Sequence, residues 1–190
     1  DYGGEMPFIS RKEPYYALCG LNCCLCPRFN IGGTSKCPGC GGPEFPEKHP
    51  SCAVMGCSAK HGSIEYCCEC SDYPCKKYDK PSGKDSFASY CKVIENFAEA
   101  KNDLQKYLSE LKEKYAFLQT LINEYNDGRL KNFYCIVVNN MEYEDISKLM
   151  ETIQNDNELN AMENKKKARE ASRIIRRRAE ELGVECGLRK

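Results

Sequence analysis

The sequence predicts a mainly α protein in two parts: an irregular, Cys-rich, zinc-binding module over residues 15–80, then an all-α helical domain over residues 84–190. Two observations carry this prediction. Twelve of the fifteen cysteines fall between Cys19 and Cys75, in text broken by Gly32-Gly33, Pro38-Gly39, Gly41-Gly42-Pro43, Pro46 and Pro50. Text of that kind holds no long regular element, so the segment needs another constraint. A bound metal supplies one where apolar core is scarce. Beyond Gly83 the apolar residues instead recur at three- and four-residue steps, the period of a helix with one buried face.

The cysteines of the first part read C-x3-C-C-x-C, then C-P-G-C, then C-x4-C, then C-C-x-C-x4-C. Three C-x2-C pairs stand out: Cys23/Cys26, Cys37/Cys40 and Cys67/Cys70. Each such pair, on a tight turn, points two thiolates at one ion, and two pairs complete a tetrahedral site. Cys23, Cys26, Cys37 and Cys40 make a C-x2-C-x10-C-x2-C set, the first choice for one zinc site. A second site draws on Cys52, Cys57, Cys67, Cys70 and Cys75, and Cys19 is left over. Ten candidate ligands fill two four-coordinate zinc sites with two to spare, and His49 and His61 would allow a third. Gly41 after Cys40 lets backbone amides turn toward the sulfur. Cys24 and Cys68 sit beside better-placed ligands and are expected to point elsewhere, while Cys91, Cys135 and Cys186 read as packing cysteines.

Two other chemistries suit so many thiols. Disulfides are disfavoured because the count is odd, no export signal is visible, and cysteines so close in sequence bridge only with strain. An iron–sulfur cluster is the second alternative. Cys19-x3-Cys23-x2-Cys26 has the spacing that holds a cluster in radical enzymes using S-adenosylmethionine, but nothing after Gly83 resembles their large α/β barrel.

Along the chain, Tyr15–Leu18 is a short strand or apolar packing on the module, and Ser51–Gly62 is a short helix. Pro81-Ser82-Gly83 marks the boundary. Phe87, Tyr90, Ile94 and Phe97 line one helix; Leu104, Tyr107, Leu111, Leu118 and Tyr125 line a longer one, capped by Asn102-Asp103 and closed by Asn126-Asp127-Gly128. Phe133–Val138 has strand propensity, but no second strand is available to pair with it, so it is assigned as a buried helix. Glu142–Ile153 is a further helix, residues 155–164 a loop or frayed turn, and Lys165–Leu182 a final helix ended by Gly183. Core packing accounts for these stripes without a cofactor.

Twenty-eight Lys and Arg balance twenty-eight Asp and Glu, so no global field draws the chain to nucleic acid or an anionic membrane. No apolar run suffices for a membrane span, and Asp1–Pro14 shows no basic stretch followed by an apolar one, so a cytoplasmic location is expected. Lys165–Lys190 carries ten Lys and Arg against four Glu, which makes nucleic acid a possible partner. It is not favoured, because that segment lacks an aromatic residue to stack on bases. Two histidines and no phosphate loop, G-x-S-x-G or H-E-x-x-H leave little scope for common catalytic chemistry. A binding or adaptor protein with an unknown protein partner is therefore expected, with a thiol redox protein as the alternative.

Cys19-Gly20-Leu21-Asn22-Cys23-x2-Cys26-Pro27, Cys37-Pro38-Gly39-Cys40, Cys52-x4-Cys57 and Cys67-x2-Cys70-x4-Cys75 resemble the prokaryotic Cys-rich domain of unknown function 3795. Tyr125-Asn126-Asp127-Gly128-Arg129, Phe133-Tyr134-Cys135 and the closing Leu188-Arg189-Lys190 are similar to a subset of its longer members. The resemblance implies zinc binding and a bacterial or archaeal origin, and it supplies no reaction. Cys24 and Cys68 are additional to the pattern.

Overall fold

The computed structural model describes residues 9–78 and 84–190, and within them the protein is mainly α, with no strand. The boundary tripeptide Pro81-Ser82-Gly83 and the first eight residues lie outside the described residues. In the first part the regular elements are short. They are helices α1 (Phe45–Lys48) and α2 (Ala53–Lys60) and two single-turn 3-10 stretches, Cys23–Leu25 and Cys67–Glu69. The second part holds α3 (Val93–Asn102), α4 (Leu104–Glu124), α5 (Lys131–Asn140), α6 (Tyr143–Asn155), α7 (Asn157–Asn160) and α8 (Asn164–Glu181).

The long α4 is the axis. Asp103 caps it, accepting the Lys106 N–H at 3.0 Å, which satisfies one of the donors a helix start leaves open. Tyr107, Leu108, Leu111, Leu118 and Leu121 are buried along one face, and α3, α5 and α6 pack around it. The backbone turns away after Tyr125 through Gly128 at φ +95°. In α5 every residue from Phe133 to Asn140 is buried, as expected of a helix apolar on most sides and enclosed by neighbours. The strand propensity of Phe133–Val138 is overridden because no second strand exists among the described residues. Lys114, buried on α4, donates to the carbonyls of Met141 at 2.7 Å and Asn139 at 3.4 Å, so a cation sits at the negative end of α5. The α8 helix buries Ala168, Ala171, Ile175 and Ala179 and packs against α6 and α7.

Two details depart from the sequence reading. The first of the paired stripes is not one helix, since α3 begins only at Val93 and Phe87 and Ile94 are 45% and 46% exposed. Asp85 is the physical reason. It accepts the Tyr90 N–H at 2.9 Å and the Arg189 guanidinium at 2.8 Å, which holds the chain before α3 in a bend under the C-terminal residues. The loop expected over 155–164 contains the single-turn α7, capped by Asp156 and anchored by buried Leu159.

Composition divides the chain near residue 80, but packing runs across that division. The Tyr16 ring packs with its centroid 4.9 Å from that of Tyr107 and 5.1 Å from that of Tyr66. Tyr107 Oη donates to Asn22 at 2.8 Å, Asn22 donates to Asn139 at 3.3 Å, and Asn96 donates to the Gly20 carbonyl at 2.8 Å. The Cys-rich segment is thus keyed to α3, α4 and α5 by buried aromatic rings and by buried amides that find their hydrogen-bond partners inside the protein.

Candidate metal centre

All fifteen cysteines lie among the described residues, and none is in a disulfide. The fold sorts the ten candidate ligands into two quartets and a pair. The turn carrying Cys37 and Cys40 is set by glycine: Gly39 adopts φ +87°, and a Cβ there would lie 2.3 Å from the Pro14 carbonyl oxygen. That close approach lets the Cys40 N–H donate to the same carbonyl at 2.7 Å. Cys40 is thereby laid beside the first cysteine stretch, next to Cys23.

Cys19, Cys23, Cys40 and Cys52 line one cavity of about 230 Å³. Its remaining wall is mainly apolar and aromatic, including Leu21, Phe45, Val54, Tyr90 and Val93, with His49 stacked on Phe45 at 4.5 Å. Burial pushes the Cys19 thiol up to about 12, and Cys40, Cys52 and Cys67 add repulsion against the Leu21 N–H, which favours the thiolate. Cys23 is held well above the ordinary thiol range by burial, then by Cys40 and Cys19. The Leu18 N–H and the Arg11 side chain favour the Cys40 thiolate against its burial. Arg11, 6% exposed, supplies a cation to Cys40; it also donates to the Tyr16 carbonyl at 2.5 Å and pairs with Glu65 at 3.2 Å.

Cys57, Cys67, Cys70 and Cys75, with His61, line a second cavity of about 20 Å³. Burial pushes Cys67 up to about 11; the Tyr78 hydroxyl favours its thiolate, and Cys57 and Cys75 oppose it. His61 Nδ1 lies 2.8 Å from the Cys57 carbonyl oxygen, which only accepts, and Nε2 lies 3.4 Å from Asp72 Oδ2. The ring, Cys70 and Asp72 bring three ligand atoms within 4.8 Å of one another, the only such group found among the described residues. Tyr78 and Lys77 line both cavities and stand between the quartets.

Of the expected set Cys23, Cys26, Cys37 and Cys40, Cys23 and Cys40 line the first cavity with Cys19 and Cys52, and Cys26 adjoins both Cys23 and Cys37. Cys19, left over by spacing, is part of the first quartet. Cys24 is buried in the main core, and Cys68 lines a groove beside Leu104 that Cys70 also lines. Cys135 is buried in α5. Arg11 and Tyr78 carry no signal in one sequence, because their roles arise only from long-range packing. Searches for a matching family model, curated protein or solved structure find none.

Proposed function

We propose that this is a metal-binding protein in which thiolate-held metal folds the Cys-rich segment, with zinc at the Cys57/Cys67/Cys70/Cys75 site. The observation that carries the reading is the gathering of eight cysteines from distant turns into two quartets, within a segment whose helices are at most eight residues long. Zinc suits the second quartet: the cavity is close to the roughly 10–15 Å³ that one water-sized species needs, and its ligands are sulfur and imidazole. His61 Nε2 is an additional ligand in reach of Cys70. There the ion would tie together α2, the second 3-10 turn and the chain up to Cys75. The cysteine pattern that resembles a zinc-binding family supports the same reading.

The role that follows is a binding or adaptor one in the cytoplasm, toward an unidentified protein partner. No described helix is long and apolar enough to cross a membrane. A nucleic-acid role has weaker support, because three of the five arginines of α8 are in ion pairs: Arg173 with Glu170, Arg177 with Glu181, and Arg178 with Asp145 and Glu181. Zinc content of the purified chain tests the proposal, with Co2+ substitution to report thiolate coordination. Tightly held zinc that Cys70→Ser releases supports it. A folded chain that takes up neither Zn2+ nor Co2+ overturns it.

A further inference from the structure

We infer that the Cys19/Cys23/Cys40/Cys52 cavity seats an iron–sulfur cluster of the four-iron, four-sulfide type, not a single zinc ion; this rests on the proposal that the cysteine quartets bind metal. Zinc fits the first quartet poorly. With Zn–S bonds of about 2.3 Å, tetrahedral thiolates stand roughly 3.8 Å apart. Among the described residues no three sulfurs of either quartet come within 4.8 Å of one another; the one such group, His61, Cys70 and Asp72, adjoins the second quartet. The cavities differ in size: the one that the first quartet lines, together with ten other residues, holds about 230 Å³, and the one beside the second quartet about 20 Å³. A cubane cluster instead bonds one thiolate at each of four irons and fills the space between them.

The surroundings match that occupant chemically. Two ferrous and two ferric ions with four sulfides form a core of charge +2. Four thiols give up their protons to solvent, four Fe–S bonds form, and the assembly carries −2. Arg11 and the N–H groups of Leu18 and Leu21 favour the charged forms of Cys40 and Cys19, and the apolar wall limits solvent access to the sulfides. The ligand set differs from the Cys19-x3-Cys23-x2-Cys26 spacing visible in the sequence, since Cys40 and Cys52, not Cys26, line the cavity with Cys19 and Cys23.

The test is anaerobic reconstitution of the full chain with ferrous and ferric iron and sulfide, alongside separate loading with zinc. The expected product is brown, with four irons and four acid-labile sulfides per chain and zinc retained at the second quartet. Cys52→Ser should abolish the chromophore, while Cys26→Ser and Cys70→Ser should keep it, the latter losing zinc instead. Circular dichroism confirms that each variant is folded. A colourless chain that binds two zinc ions and no iron–sulfur unit overturns this inference and leaves the metal-binding proposal standing. Loss of the chromophore in Cys26→Ser but not in Cys52→Ser overturns the ligand assignment. A folded chain that retains neither metal overturns both.

Discussion

Gly39 shows how a single backbone position decides which thiols meet. Its φ of +87° and the 2.3 Å separation a Cβ would have from the Pro14 carbonyl oxygen make it intolerant of any side chain. Gly39→Ala is expected to destabilise the chain by about 1–3 kcal/mol and to weaken metal retention, read by chemical denaturation and metal analysis of the same sample. Lys114 offers a second, independent residue-scale test. Burial lowers its pKa from 10.5 to about 8, partly countered by Glu142 and Glu99. The unfolded chain therefore holds this proton at a pH where the folded chain has lost it, so this group makes stability rise with pH between about 8 and 10.5. The full effect is about 3 kcal/mol. Lys114→Met removes the titration, so the stability of the parent should rise relative to the variant across that window; parallel curves would contradict it. Glycine in C-P-G-C was readable from sequence as a turn, but the carbonyl it approaches was not. The buried lysine was invisible because α4 alone gives no sign that another helix ends above it.

At the scale of elements, the helices after residue 84 were legible because burial follows period: Leu111, Leu118 and Leu121 fall on the face that the sequence assigns to the core. Leu118 is fully buried, and Leu118→Ala should cost about 2–5 kcal/mol, the higher values if the void persists; a denaturant midpoint unchanged from the parent would show that the packing is wrong. Phe133–Val138 was readable as helix by elimination, since a lone strand has no partner. The start of α3 was not readable. Phe87, Tyr90, Ile94 and Phe97 have helical spacing, but Asp85 bonds Tyr90 and Arg189, a residue more than a hundred positions away. Long-range pairing of this kind leaves no local pattern. Cys57, Cys67, Cys70 and Cys75, which line the second cavity, are among the cysteines that the spacing groups, whereas the approach of Cys19 and Cys52 to Cys23 and Cys40 around the larger cavity leaves no local spacing pattern.

For the whole molecule, the account rests on metal as the constraint that organises residues 9–78 and, through Tyr16, Asn22 and Tyr66, presents that segment to α3, α4 and α5. Buried thiols that hold their protons make loading pH-dependent: each thiol releases a proton on binding, so affinity falls as pH falls. On the metal-binding proposal, helices α4 to α8 persist without metal, whereas the Cys-rich segment does not. The measurement that tests this most directly is metal content before and after chelation under reducing conditions, with helical signal and near-ultraviolet tyrosine signal followed together. The account predicts metal that survives dialysis, is stripped by chelator, and takes the tyrosine signal of Tyr16 and Tyr66 with it while most helical signal remains. A metal-free chain whose tyrosine signal is native, indifferent to chelator and lost only on reduction would contradict it.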